Sequence, residues 1–280
     1  MLDGVIDILI QSDKEKSDLT KQIQNLQEKL NSIQNQENDK EIQNQENDKE
    51  IQNQENDKEI QNQENDKEIQ NQENDKEIQT KIEEINNSDD FERIYNFFDE
   101  LSSQGNKIVI SKACEEGLWK KKGTNDQNVL HVASEKGNLR LVKSLIECHC
   151  DKDTKDNEGY TPLILASLKC HLEVVKYLIS IGADKKAKNN SGATPLIYAS
   201  LKCHLEVVKY LISIGADKEA KNNSGATPLI YASLKCHLEV VKYLISVGAN
   251  KEAKDNSGFT PLEIASLLKK NEVVKYFSSI

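Results

Sequence analysis

A period of 33 residues runs through the second half of the chain and leaves few folds open to it. Thr-Pro-Leu triplets begin at Thr161, Thr194, Thr227 and Thr260, each 33 residues after the last. Residues 191–223 and 224–256 differ at three positions only, Ile214/Val247, Asp217/Asn250 and Asn222/Asp255. One period upstream, the stretch NVLHVASEKGNLRLVKSLI from Asn128 keeps the same apolar positions with looser wording. Five units result, at 125–157, 158–190, 191–223, 224–256 and 257–280, and the last is expected to be a C-terminal cap, because Asn271 replaces Leu172, Leu205 and Leu238, and Ser278 replaces Ile179, Ile212 and Ile245. Repeats of this size bury their apolar faces against their neighbours, so the units are expected to stack.

Each unit carries the signals of two short helices. In residues 191–223 a turn-rich NNSGA cluster precedes Thr194, a suitable N-cap, and Pro195 sits where its missing N–H costs nothing. The first helix runs through Leu196, Ile197, Ala199 and Ser200, and the small pair Ala199/Ser200 permits a close neighbour. The second, LEVVKYLISI, places Val207, Val208, Leu211 and Ile212 on one face and is stopped by Gly215. ADKEAKNNSG then returns the chain as a finger.

The G-x-TPL-x-x-A opening, the H-L-E-V-V-K-x-L-I second helix and the G-A-D close resemble the ankyrin repeat, over residues 125–280. The resemblance implies an all-α helical repeat solenoid with β-hairpin-like fingers, and it implies binding of other proteins rather than catalysis. Contacts in such arrays come from the fingers and the concave face of the first helices. On this chain that surface comprises Tyr160, Leu165, Lys169, Tyr198, Lys202, Tyr231, Lys235 and Phe259, with Ala193, Ala226 and Ile264 at equivalent positions. Tyr and Lys beside an apolar rim suit a contact surface; the Tyr198/Tyr231 pairing follows equally from two units being near copies.

The same alignment bears on the thiols. Cys170, Cys203 and Cys236, each directly before a histidine, stand where the ankyrin pattern and the first unit's Gly137 have glycine. The position calls for a left-handed turn, which costs a non-glycine residue about 1–2 kcal/mol. Metal ligands must converge to roughly 4 Å, whereas equivalent positions in stacked helices lie about 8–10 Å apart, so the three cysteines are not expected to share a metal or a disulfide. His171, His204 and His237 match a histidine that in the family ties one turn to the next. In Cys148-His149-Cys150, the alignment puts His149 at a turn glycine and both cysteines at packing positions.

No GxxxxGK[ST], HExxH or GxSxG motif occurs, and the five histidines fall in the repeat register, so neither an enzyme nor a cofactor is expected. Residues 125–280 carry 21 Lys+Arg against 17 Asp+Glu, too even a balance to point to nucleic acid. Residues 1–124 are different, with 16 Lys+Arg against 30 Asp+Glu. Most of that excess lies in IQNQENDKE, which stands five times in succession from Ile33 with a net charge of −2 each. Nine residues at 100° each put successive isoleucines on opposite sides of a helix, so no continuous apolar stripe forms.

The chain thus divides into a short amphipathic helix (1–32), the acidic low-complexity arm (33–90), a helical N-terminal cap region (91–124) and the five repeats. Whether the arm is a single helix or disordered is left open by its composition. Leu19, Ile23, Leu26, Leu30 and Ile33 follow the 4,3,4,3 spacing of a coiled coil, which supports either a homo-oligomer through residues 19–33 or a lone amphipathic helix. Phe91, Ile94, Tyr95, Phe97, Phe98 and Leu101 share one helical face behind the N-cap cluster NNSDD, so 91–103 is expected to pack. Residues 107–122 read as a degenerate leading unit or a cap, because ISKACEEG matches LHVASEKG, and Trp119 is expected to be buried there. The opening MLDGVIDILIQSD is interrupted by Asp3 and Asp7 and suits neither a signal peptide nor a membrane span. Free cysteines and that opening predict a cytoplasmic protein with no membrane insertion.

Overall fold

The computed structural model describes residues 19–22, 24–32, 76–88 and 90–280. The chain forms two compact units, Met1–Lys76 and Glu77–Ile280. In the first, residues 19–22 and 24–32 are helical, and Leu19, Leu26 and Leu30 are all more than half exposed (60%, 65% and 57%). Ile23 and Ile33 of the coiled-coil pattern, and the five complete nonapeptides, lie outside the described residues.

The second unit is built from helices alone among the described residues. Helix α1 (76–86) buries Ile82 and Ile85, so the packed unit begins inside the segment assigned to the arm rather than at residue 91. Three isoleucines at 4,3 spacing, Ile78, Ile82 and Ile85, give α1 the stripe that the preceding nonapeptides lack. Helix α2 (Phe91–Gln104) starts at Asp90, whose carboxylate accepts from the Glu92 N–H, and buries Ile94, Tyr95, Phe97, Phe98 and Leu101. Helix α3 is Lys107–Glu115, followed by a 3-10 turn in which Trp119 is buried. Segments 110–117 and 130–137 end alike in left-handed glycines, Gly117 (φ 78°) and Gly137 (φ 74°). Yet α3 packs on α2, on the 3-10 turn and on the helix Leu139–Glu147 of the first repeat, so α2 and α3 close the stack as a cap and do not continue its inner row.

The repeats follow as helix pairs: α4 (Val129–Lys136) and α5 (Leu139–Glu147), α6 (Pro162–Leu168) and α7 (Leu172–Ser180), α8 (Pro195–Leu201) and α9 (Leu205–Ser213). The last two pairs are α10 (Pro228–Leu234) with α11 (Leu238–Ser246), and α12 (Pro261–Leu267) with α13 (Asn271–Ser278). Helices α4, α6, α8, α10 and α12 stack on one another as an inner row, and α5, α7, α9, α11 and α13 form the outer row. Thr161, Thr194, Thr227 and Thr260 each accept the N3 backbone N–H at 3.3 Å, with proline at N1. The first unit substitutes a reciprocal cap in which Asn128 Oδ1 accepts from His131 N–H and His131 Nδ1 accepts from Asn128 N–H.

Stacking explains the apolar spacing. Leu196, Ile197 and Ala199 of α8 and Val207, Val208 and Leu211 of α9 are all at most 1% exposed, and burying a Val or Leu side chain stabilises by roughly 1.5–3 kcal/mol. Ser167, Ser200 and Ser233, on the inner helices, are fully buried. At the C-terminal end, Asn271 and Ser278 are exposed as a polar closing face requires, but Leu267 and Leu268 stay 64% and 47% exposed. The outer face of the last pair is therefore polar on α13 and apolar at the end of α12, because Leu267 keeps the residue type of Leu168, Leu201 and Leu234, which are half-buried in their own units.

The fingers contain no strand among the described residues; each closes on single bonds such as Asn189 N–H to the Ala193 carbonyl. Their regularity runs from finger to finger instead. Asn190, Asn223 and Asn256 donate backbone N–H to Glu158, Ser191 and Ser224, and donate Nδ2 to the carbonyls of Asn157, Asn190 and Asn223, all at 2.9 Å. Lys155, Lys188 and Lys221 add a third row, reaching the carbonyls of Lys188, Lys221 and Lys254 at 2.8–3.1 Å.

Candidate partner-binding surface

The fingers hold the inner-helix tyrosines in place. Asn189 accepts through Oδ1 from the N–H groups of Ser191 and Ala193, which shapes its own finger, and donates Nδ2 to the Tyr198 hydroxyl at 2.9 Å. Asn222 does the same for Tyr231, also at 2.9 Å. Tyr160 meets Tyr198 across the unit boundary, hydroxyl to hydroxyl at 2.8 Å with ring centroids 5.3 Å apart. Partial burial, with the Tyr198 hydroxyl beside it, pushes the Tyr160 phenol above its ordinary value. These rings are half-buried and held at their hydroxyls, a low-entropy arrangement for a contact surface. The NNSG wording marks these asparagines as turn residues only, and nothing in it distinguishes a turn asparagine from one that also positions a tyrosine nine residues on.

The remaining positions separate. Lys169 pairs with Glu135 at 3.1 Å. Lys202 and Lys235 are exposed and form no ion pair among the described residues. Lys169 and Lys202 line a shallow groove of about 330 Å³ with Leu168 and His204. Phe259, in the last finger, is 41% exposed. Leu165 does not belong to the surface: it is 3% exposed. It occupies the register of Tyr198 and Tyr231 but has no hydroxyl to hold at the surface, so the side chain is taken into the core.

The turns at the other end of the inner helices carry the cysteines. Cys170, Cys203 and Cys236 have φ of 68°, 65° and 63°, and His149 has 62°, the left-handed conformation expected where glycine is replaced. His171 Nε2 reaches the Glu135 carbonyl at 2.8 Å, and His204 and His237 reach the carbonyls of Leu168 and Leu201 at 2.9 Å. Each histidine thereby closes the last turn of the preceding unit's first helix, whose carbonyls have no partner within the helix. Burial lowers the His204 pKa below its ordinary value, consistent with a neutral ring. Among the described residues no group of three or more His, Cys, Asp or Glu side chains is arranged to hold a metal.

The helix pairs, the finger rows and the histidine bridges together repeat at the sequence period, and the family model of ankyrin repeats (three copies) matches residues 130–222 and 214–279, more than half of the chain. The chain belongs to the ankyrin-repeat family. Ankyrin repeats generally mediate protein–protein interaction and are typically non-enzymatic. No curated protein matches the chain in a sequence comparison. Among the described residues, no helix of this ankyrin-repeat protein is long and apolar enough to cross a membrane.

Proposed function

We propose that the ankyrin stack binds a partner protein along its fingers and inner helices, through Tyr160, Tyr198, Tyr231, Lys169, Lys202, Lys235 and Phe259. The observation that carries this reading is the pair of asparagine-held tyrosines. Asn189 and Asn222 fix Tyr198 and Tyr231 one unit apart, on the helices whose C-caps are the exposed Lys202 and Lys235, which form no ion pair among the described residues. Aromatic rings restrained before contact lose little entropy on binding and make effective anchors. Two near-identical units in succession favour a partner that itself repeats, or one engaged by several copies of this chain. The test is capture of partners by the full chain and by the Tyr198→Ala/Tyr231→Ala double variant. Loss of about 2 kcal/mol or more of affinity is expected for a central aromatic pair, and undiminished binding rejects this surface.

A second reading rests on the N-terminal helix. Leu19, Leu26 and Leu30 are exposed along one 7,4-spaced face, a composition suited to pairing with a second copy. Sedimentation of the full chain against Leu26→Asp/Leu30→Asp tests it: a multimer that dissociates in the variant supports self-assembly, and a monomeric wild type rejects it.

A further inference from the structure

Three thiols from two distant parts of the sequence, Cys114 and the Cys148/Cys150 pair, meet at the junction between the cap and the first repeat. Cys114, on α3, and Cys150, past the end of α5, are 7% and 5% exposed, with their sulfurs 3.9 Å apart across 36 residues of chain. Cys148 is half-buried and lies against the same cluster. Burial, with the neighbouring Cys114, pushes the Cys148 thiol up to about 12, and the contact with Cys150 together with burial raises Cys114 as well, so both are protonated near neutrality. The helix pairing explains why the sulfurs converge: α3 and α2 both pack on α5, and the left-handed turn at His149 (φ 62°) brings Cys150 back under α3.

We infer that Cys114 and Cys150 are a disulfide latch that closes covalently in oxidising surroundings and fastens the α2–α3 cap to the first ankyrin unit. A bonded S–S distance is about 2.05 Å, so small side-chain movements bring sulfurs now 3.9 Å apart together. The oxidant is a low-molecular-weight disulfide such as oxidised glutathione. Cys148, the accessible member, loses its proton and attacks one glutathione sulfur, giving a mixed disulfide and releasing one glutathione thiol. Cys114 then displaces the second glutathione from Cys148, and Cys150 displaces Cys148 from Cys114. The sum is two thiols oxidised to one disulfide and one disulfide reduced to two thiols, with Cys148 restored. Because protonated thiols react slowly, the latch is a slow structural lock and not a rapid sensor.

The test treats the full chain with oxidised glutathione at pH 8 under native conditions, then alkylates, digests and maps the cysteines by mass spectrometry. A Cys114–Cys150 linked peptide is expected, reversed by dithiothreitol, and formed at least several-fold more slowly in Cys148→Ala. Amide exchange across residues 91–115 should slow on oxidation, and the melting temperature should rise by roughly 5–10 °C, with neither change in Cys150→Ala treated alongside. Recovery of Cys114 and Cys150 as free thiols while Cys170 and Cys203 carry glutathione overturns the latch, as does a link formed with unchanged cap exchange and melting temperature.

Discussion

The turn that joins α4 to α5 and the turns that join the helices of the next two units make the same bridge with different residues, Gly137 in the first and Cys170 and Cys203 in the others. Gly137 has φ 74°, and Cys170, Cys203 and Cys236 have 68°, 65° and 63°. The histidine one unit on binds the carbonyl near each of the first three turns at almost one distance, 2.8 Å at the glycine turn and 2.9 Å at the first two cysteine turns. At Gly137, however, an added Cβ would stand 2.3 Å from His171 Nδ1. The glycine turn is thus closed to a side chain by its neighbour, while the Cys170 and Cys203 turns admit one and keep the bridge. The difference teaches that the histidine contact is the constant of the stack, and that the turn residue is adjusted around it at a conformational cost.

Gly137→Ala should have the largest effect on this contrast. It combines left-handed strain with a clash against a ring that is itself bonded, and about 2–4 kcal/mol of stability should be lost in denaturant titration. The opposite change, Cys170, Cys203 and Cys236 all to Gly, relieves about 1 kcal/mol at each turn. Its melting temperature should rise by roughly 5–10 °C; a fall would mean that the thiols stabilise the fold in some other way. His204→Ala leaves the Leu168 carbonyl without its partner, and about 1–2 kcal/mol should be lost, with His171→Ala costing more because it also uncovers Gly137.

The smallest effect is the one read through pH. Burial lowers the His131 and His204 pKa values from their ordinary value. The unfolded chain therefore binds more protons than the folded one, and stability rises with pH. The stabilisation is present above the unfolded histidine value of about 6.5 and is lost as pH falls below it toward the lowered folded values. Melting between pH 7.5 and 5.0 should fall, and the slope should flatten in His131→Gln. Equal slopes in variant and wild type would place the titration elsewhere.

Much of the fold was legible residue by residue. Thr194-Pro195 announced a helix start, the 207, 208, 211 spacing announced its buried partner, and replacement of a turn glycine by Cys203 announced a left-handed cysteine. Each is a short-range matter, decided within a few residues by hydrogen-bond supply and steric limits on φ. The candidate surface was legible only in outline. The period makes position four after each threonine one surface, and the structure divides it into half-buried tyrosines held by Asn189 and Asn222 and a buried Leu165. Exposure at a repeated position depends on the chemistry of the side chain and of its neighbour, which periodicity does not carry.

The sequence by itself determined the number of units, their helix starts, their turn handedness and the absence of a continuous apolar stripe in the nonapeptides. Only the tertiary structure decided that α2 and α3 close the stack by packing on α5, that Asn189 reaches Tyr198, and that Cys114 meets Cys150. The physical reason is range. Turns and caps are set by a residue's own backbone and its nearest few bonds, whereas a contact across 36 residues exists only once rigid helices have been laid against one another.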